Sequence, residues 1–178
     1  GRVARPSRER PSLARAGAVL GAAPRLRHPD KLADVSLRLS LAPGLRMDSY
    51  PGPLQQVISN LLGNALGHAF PEGRHGTISI SASADGPSHV LIEFADDGVG
   101  IEPGHLERIF DPFFTTGRHR GGSGLGLHIC AQLVNEVLGG TIRAGDRAAR
   151  GGGSGAVFTL RLPRAAPVTP PPASGAAP

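Results

Sequence analysis

The chain has 178 residues, of which 39% are hydrophobic but only 4% aromatic, so it can bury one aliphatic core. Its net charge of +5 originates in residues 1–27, which hold seven Arg against Glu9. A surface that binds nucleic acid should instead lie on the folded domain, beside aromatic side chains that stack on the bases. We therefore expect no nucleic-acid partner. The single cysteine, Cys130, excludes an internal disulfide and fits a reducing compartment, and no apolar run approaches the ~18 residues that span a bilayer, so we expect no membrane contact from this segment.

Composition divides the chain into a folded region and two appendages. Residues 1–11 predict a basic flexible leader, and residues 12–32 predict a connecting helix, over Ser12–Leu26, followed by a linker. Residues 33–163 predict the folded domain. Residues 164–178 are rich in Ala and Pro and cannot bury a core, so they predict a disordered tail.

Hydrophobic periodicity alternates between strand and helix patterns within the predicted domain. Apolar–polar alternation predicts strands over 35–41, 77–84, 89–95, 141–144 and 156–162, with a short additional strand over 45–48. Apolar residues spaced by three and four predict helices over 54–69, 103–110 and 125–138.

The first and last of these helices have faces that bear on function. Asn60, Asn64 and His68 are four residues apart and therefore line one ridge of the first helix. Cys130 should be a small buried residue of the last helix. The predicted apolar face of that helix consists of Leu125, Ile129, Leu133 and Val137.

Four short blocks stand out in the domain: NLLGNA at 60–65, DDGVG at 96–100, FDPFF at 110–114 and GSGLGL at 122–127. Asp96 ends an apolar strand, where its carboxylate can accept a hydrogen bond from the exocyclic amino group of adenine. Gly98 and Gly100 would let the backbone approach the base, and Asp97 should point into solvent. The glycines of the last block open a helix whose N–H groups form a site for phosphate.

In this order, and within about 70 residues, the blocks resemble the N, G1, F and G2 boxes of the ATP-binding domain of sensor histidine kinases, a branch of the GHKL group. The resemblance covers roughly residues 33–163. It implies the Bergerat fold, a two-layer α/β sandwich with a mixed, mostly antiparallel sheet and three helices on one face. ATP would lie between the helices and a lid.

The resemblance also implies roles for individual residues. Asn64 stands where the family places its Mg²⁺ ligand, and an amide oxygen suits that hard cation. His68 would reach phosphate, so Asn64 and His68 are the candidate catalytic residues. The candidate nucleotide-binding residues are Asn60, Asn64, His68, Asp96, Gly98, Gly100, Phe110, Thr115, Thr116, Arg118, Gly122, Ser123, Gly124, Leu125, Gly126 and Leu127.

A lid over residues 115–121 would close on the nucleotide, with Arg118, His119 and Arg120 clamping its phosphates. Phe110, Phe113 and Phe114 would form a hydrophobic latch between lid and core. The other reading of the basic residues is a solvated loop, and the other reading of His68 is a structural histidine.

The chain departs from the family pattern in two places. Ala156 stands where many relatives carry Thr or Ser, so a hydroxyl that holds water beside the adenine-binding Asp is absent and affinity is put in doubt. The lid is also short. Asn60 stands where ATP-hydrolysing relatives place a Glu that activates water, and an amide is a poor base, so phosphoryl transfer is favoured over hydrolysis.

The phosphate acceptor should lie outside the chain. None of the seven histidines has the His-(Glu/Asp)-x-x-(Thr/Asn)-Pro setting of the family's acceptor: His28, His68, His75, His89, His105, His119 and His128. The implied partners are therefore a histidine-bearing dimerisation domain, of the same or a partner protomer, and a response regulator. The implied location is cytoplasmic, free or as part of a membrane-bound sensor.

Two other functions fit the same blocks. One is a non-catalytic, ATP-gated interaction module, which would bind ATP tightly but transfer phosphate slowly or not at all. The other is an anti-sigma-type serine kinase on the same fold, whose product is acid-stable phosphoserine, whereas phosphohistidine is acid-labile. The phrase HAFPEG at 68–73, followed by a strand, looks more like the sensor-kinase branch.

Overall fold

The computed structural model describes residues 25–27, 34–71, 74–116, 123–148 and 151–168. The predicted leader and the predicted connecting helix up to residue 24 lie outside this range. The prediction that this helix extends to Leu26 was wrong, because Arg25–Arg27 form a short strand, β1, which pairs with the start of the next strand.

Six strands form one sheet, in the order β1-β2-β3-β4-β6-β5. After β1 the strands are β2 Asp34–Leu41, β3 Gly76–Asp85, β4 His89–Asp96, β5 Thr141–Asp146 and β6 Ala156–Pro163. Only β2 and β3 pair in parallel, and every other neighbour is antiparallel. The parallel pair exists because a helix crosses over between these two strands. The predicted mixed, mostly antiparallel sheet is confirmed.

Two longer helices accompany the sheet in the described residues. Helix α1 spans Pro51–His68, and α2 spans Gly126–Gln132 and continues as a π-helical segment over Leu133–Val137. The predicted helix over 103–110 is reduced to a 3-10 turn, Pro103–His105. None of the helices described is long and apolar enough to cross a membrane.

The core lies between one face of the sheet and the two helices. Buried residues alternate with less buried residues along β3 and β4, as the sequence pattern predicts. Helix α1 buries Val57, Leu61 and Ala65 against this layer. Each large aliphatic side chain buried here contributes about 1.5–3 kcal/mol to folding.

Helix α2 buries a different stripe from the predicted one. Cys130, Val134 and Leu138 are fully buried, whereas Ile129 is exposed. The thiol of Cys130 donates to the carbonyl oxygen of Val57 at 3.7 Å, and burial raises its pKa to about 11. Cys130 is therefore a small buried residue at the contact between the two helices, as expected.

Two predictions about chain ends and connections were wrong. Residues 45–48 form no continuous strand, only isolated bridge residues at Arg46 and Asp48, the latter paired with Ala165. The first residues of the predicted disordered tail are folded. Arg164 N–H donates to Ser88 O at 2.8 Å, Ala166 N–H donates to Asp48 O at 2.8 Å, and Ala166 is buried.

Candidate nucleotide site

Parts of all four sequence blocks line one cavity of about 570 Å³ beside the C-terminal half of α1. From the first block and the ridge that continues it come Asn60, Gly63, Asn64 and His68, and Gly100 comes from the second. Phe114, Thr115 and Thr116 follow from the third block and the start of the lid. The last block contributes Ser123, Gly124, Gly126 and Leu127.

The α1 ridge predicted from four-residue spacing faces this cavity. Asn60 does more than line it, because its Nδ2 donates to the carbonyl oxygen of Gly126 at 3.2 Å and its Oδ1 accepts from Gln56 Nε2 at 3.0 Å. The first bond connects α1 to the first residue of α2, and the second lies within α1. Sequence reasoning missed Gln56, although its position four residues before Asn60 on a helix was a usable signal.

Asp96 is the buried carboxylate of the site, with only 3% of its surface exposed. Its Oδ1 accepts from the backbone N–H groups of Gly98 at 3.0 Å and Ala156 at 3.2 Å. Burial raises the pKa of Asp96, and these two hydrogen bonds partly offset that effect. Asp96 lies outside the lining of the cavity itself, as do Gly98, Phe110 and Leu125.

Gly98, in the second block, is required by packing within the protein. A Cβ on Gly98 would overlap the backbone oxygen and side chain of Ala69, at the C-terminal end of α1. Val99 N–H donates to Ala69 O at 3.0 Å in the same contact. Gly98 thus lets the block pack against α1, which differs from the predicted reason, close approach of the backbone to a base.

A second close approach holds Asp96 from the other side. Gly155 has φ +136, and a Cβ there would overlap the carbonyl oxygen of Asp96. Ala156, which stands where many relatives carry Thr or Ser, is buried, with 4% of its surface exposed. Its backbone N–H donates to the Asp96 carboxylate. The loop before β6 therefore fixes Asp96 through its backbone.

The three phenylalanines of the third block do not act alike. Phe110 packs on the core, with its ring 6.5 Å from that of Phe158 in an edge-to-face contact. Phe114 contacts the His105 ring at 5.3 Å and lies under the Arg108 guanidinium at 5.1 Å. The predicted latch is wrong for Phe113, which is 63% exposed and has φ 65.

The lid is described only at its ends. Thr115 and Thr116 reach the cavity from one side, and Ser123 reaches it from the other, where its Oγ accepts from Leu125 N–H at 3.4 Å. The predicted phosphate-clamping residues Arg118, His119 and Arg120, and the first glycine of the last block, Gly122, lie outside the described residues.

Asp97 was predicted to be solvated, and this was wrong. Its Oδ1 accepts from Thr77 N–H at 2.7 Å, and its carbonyl oxygen accepts from Arg74 at 3.1 Å. These bonds fasten the end of β4 to the start of β3. The second block therefore buries the carboxylate of Asp96 and uses that of Asp97 to join the ends of the central strands β3 and β4.

The side chains that line the cavity could supply part of a metal site, with a bound nucleotide supplying other ligands. Among the described residues there is no cluster of three or more His, Cys, Asp or Glu that could hold an ion by itself. Asn64, half-buried in the cavity wall, offers an amide oxygen of the kind that Mg²⁺ accepts when phosphate oxygens and waters supply the rest.

Comparison with known proteins identifies the family. Residues 50–166 match the family described as histidine kinase-, DNA gyrase B-, and HSP90-like ATPase, and the chain belongs to it. It is 43% identical over 118 residues to the sensor histidine kinase ZraS of Salmonella typhimurium, a match that covers 66% of this chain and 23% of ZraS. The chain thus spans about a quarter of the length of that relative.

Solved structures agree with this assignment. The catalytic domain of histidine kinase ThkA superimposes with a TM-score of 0.61 at 30% identity, covering 74% of this chain and 81% of that one. Histidine kinase ThkA in complex with the response regulator protein TrrA gives a TM-score of 0.58 at 28% identity, covering 73% and 34%. The fold is that of a histidine-kinase catalytic, ATP-binding domain.

Proposed function

We propose that the chain is the catalytic, ATP-binding part of a sensor histidine kinase. It would transfer the γ-phosphate of ATP to a histidine on a dimerisation domain, of the same or a partner protomer, from which a response regulator receives it. Membership of the family supports ATP binding. The ThkA complex with TrrA is the kind of assembly that this proposal requires.

The observation that carries the proposal is the meeting of four separate sequence blocks around one cavity. The amide ridge of α1 lies on one side, and the glycine block at the start of α2 lies on the other. Phosphates would be held between them by backbone N–H groups of residues 123–127 and by His68. Thr115 and Thr116, and Arg118 beyond them, would close over the bound nucleotide.

Asp96 would select adenine. Its two observed hydrogen bonds both go to Oδ1, from Gly98 and Ala156, so Oδ2 is the oxygen we assign to the exocyclic amino group of the base. Guanine presents a carbonyl oxygen there, which a carboxylate repels. ATP should therefore bind much more tightly than GTP.

Asn64 would hold Mg²⁺ together with the phosphates, where the ion neutralises charge on the triphosphate. The presence of Asn60 favours phosphoryl transfer to a protein group over hydrolysis of ATP. Both ends of its side-chain amide are engaged, with Gln56 and with Gly126, and an amide cannot act as a general base. The water that a hydrolase would activate thus has no base at this position.

Calorimetric titration of ATP and GTP, each with and without Mg²⁺, tests the nucleotide part of the proposal. We expect adenine-selective binding that Mg²⁺ strengthens, and no binding of ATP would refute it. Incubation of the chain and γ-labelled ATP with a histidine-bearing dimerisation domain tests the transfer. An acid-labile phosphoprotein supports histidine phosphorylation, whereas an acid-stable product supports the serine kinase.

A further inference from the structure

We propose that Gln56 is a positioning residue that sets the geometry of the phosphate-binding glycine block by orienting the side chain of Asn60. This inference rests on the proposed function, because it concerns how the same site holds phosphate. Gln56 itself is exposed, and the cavity lining begins one turn further along α1, at Asn60.

The geometry is a relay of two hydrogen bonds, one within α1 and one from α1 to α2. Gln56 Nε2 donates to Asn60 Oδ1 at 3.0 Å, and Asn60 Nδ2 donates to Gly126 O at 3.2 Å. Gln56 and Asn60 lie one turn apart on α1, whereas Gly126 is 66 residues further along the chain than Asn60. The relay therefore ends on the first residue of α2.

The chemistry of the three groups fixes the direction of the relay. A backbone carbonyl can only accept, so the Asn60 atom that faces Gly126 must be the nitrogen. The Asn60 oxygen must then face Gln56, which has to present its own nitrogen. Without Gln56, the Asn60 amide loses one of its hydrogen-bond partners, so the amide is held less firmly and its bond to Gly126 forms for a smaller fraction of the time.

Loss of that link would act mainly on the first turn of α2, because Cys130, which also bonds to the Asn60 side chain, holds α2 to the backbone of α1 a second time. The Cys130 thiol donates to Val57 O at 3.7 Å, one turn further along α2, and Cys130 is fully buried. The buried part of α2 would stay in place while its first turn loosened. That turn and the residues before it line the cavity at Ser123, Gly124 and Gly126, where phosphate would bind.

The test compares Gln56→Met with Gln55→Met. Methionine matches glutamine in length but cannot donate a hydrogen bond, and Gln55 is the exposed neighbour on the same helix. NMR titrations would measure the affinities for ATP and for adenosine. We expect Gln56→Met to weaken ATP binding about threefold to tenfold, the range for one hydrogen bond, and to leave adenosine binding unchanged. Gln55→Met should change neither affinity.

A double-mutant cycle tests whether Gln56 acts through Asn60. Asn60→Ala and the double variant Gln56→Met with Asn60→Ala should bind ATP equally weakly, because the second change removes nothing further. Additive losses would overturn the proposal. If Asn60→Ala does not fold, the side-chain amide resonances of Asn60 in Gln56→Met give the answer: a shifted pair supports the relay, and an unchanged pair overturns it.

Failure of this inference is distinguishable from failure of the proposed function. If the unaltered chain binds no ATP, the proposed function itself fails. If the unaltered chain binds ATP and Gln56→Met binds it equally well, only the relay is refuted. Equal weakening of ATP and adenosine by Gln56→Met would also refute it, because the effect would then not be specific to phosphate.

Discussion

Asp96→Asn should separate nucleotide recognition from stability. The amide oxygen of asparagine can still accept from Gly98 and Ala156, so the local structure should remain. The amide nitrogen would then face the amino group of adenine, donor against donor. The lost charge-assisted hydrogen bond is worth about 1.5–3 kcal/mol, which corresponds to ATP binding about 10- to 150-fold weaker.

Stability should respond in the opposite direction. Burial raises the pKa of Asp96 above its usual 3.8, which means that the ionised carboxylate disfavours the folded state. The neutral variant should therefore be at least as stable as the unaltered chain at neutral pH. This advantage should shrink as the pH falls through the raised pKa, because the unaltered chain gains stability when Asp96 becomes protonated.

Asp96→Ala provides the contrast. It removes the acceptor of two buried N–H groups, each of which costs about 1–3 kcal/mol when left unsatisfied, so it should lose both ATP binding and stability. Calorimetry would measure binding, and urea denaturation the free energy of unfolding. If the Asp96→Asn variant binds ATP with unaltered affinity and keeps the same ratio of ATP to GTP affinity, the assignment of Asp96 to adenine is refuted.

Three further changes address the metal, the loop before β6 and the exposed phenylalanine. Asn64→Ala should abolish the Mg²⁺ dependence of ATP binding in calorimetry, and an unchanged dependence would assign the metal to another residue. Gly155→Ala should cost about 2–5 kcal/mol in urea denaturation, since its Cβ meets Asp96 at φ +136, whereas Gly145→Ala, which meets nothing, should not. Phe113→Gly should exceed Phe113→Ala in stability by about 1 kcal/mol, because φ 65 strains any side chain, and equal stabilities would contradict this.

The sheet was predictable because its strands alternate apolar and polar residues over most of their length. Predicted strand ends at 84, 95 and 162 fall within one residue of the observed ends of β3, β4 and β6. The prediction of an extra strand over 45–48 was wrong because alternation of apolar and polar residues does not show whether a partner strand lies beside them. Asp48 pairs with Ala165, which composition had assigned to a disordered tail.

The buried stripe of α2 could not be chosen from spacing alone. Two sets of apolar residues recur every four positions on that helix, and the one containing Cys130 and Val134 is buried. The choice depends on how α2 meets α1, where Cys130 contacts Val57. Periodicity gives the direction of each side chain along its own helix but not which side the neighbouring helix occupies.

Within the site, the sequence predicted which side chains come together better than it predicted their contacts. Four-residue spacing alone puts Asn60, Asn64 and His68 on one ridge of α1, and the structure shows that this ridge lines the cavity. The backbone donors to Asp96 and the carboxylate of Asp97 bonded to Thr77 depend on pairing between distant strands. The nucleotide and metal roles of the predicted residues remain predictions.

The two ends of the sheet give the domain a polarity. Val35, at the start of β2, pairs with Gly76, close to where Ile78 pairs with Asp96, so the polypeptide enters beside the nucleotide site. It leaves at the opposite end, after Pro163 pairs with His89, the length of an eight-residue strand or about 25 Å away. A domain joined ahead of β1 would therefore be tethered near the Asp96 end of the sheet, whereas one joined after β6 would start near the opposite end.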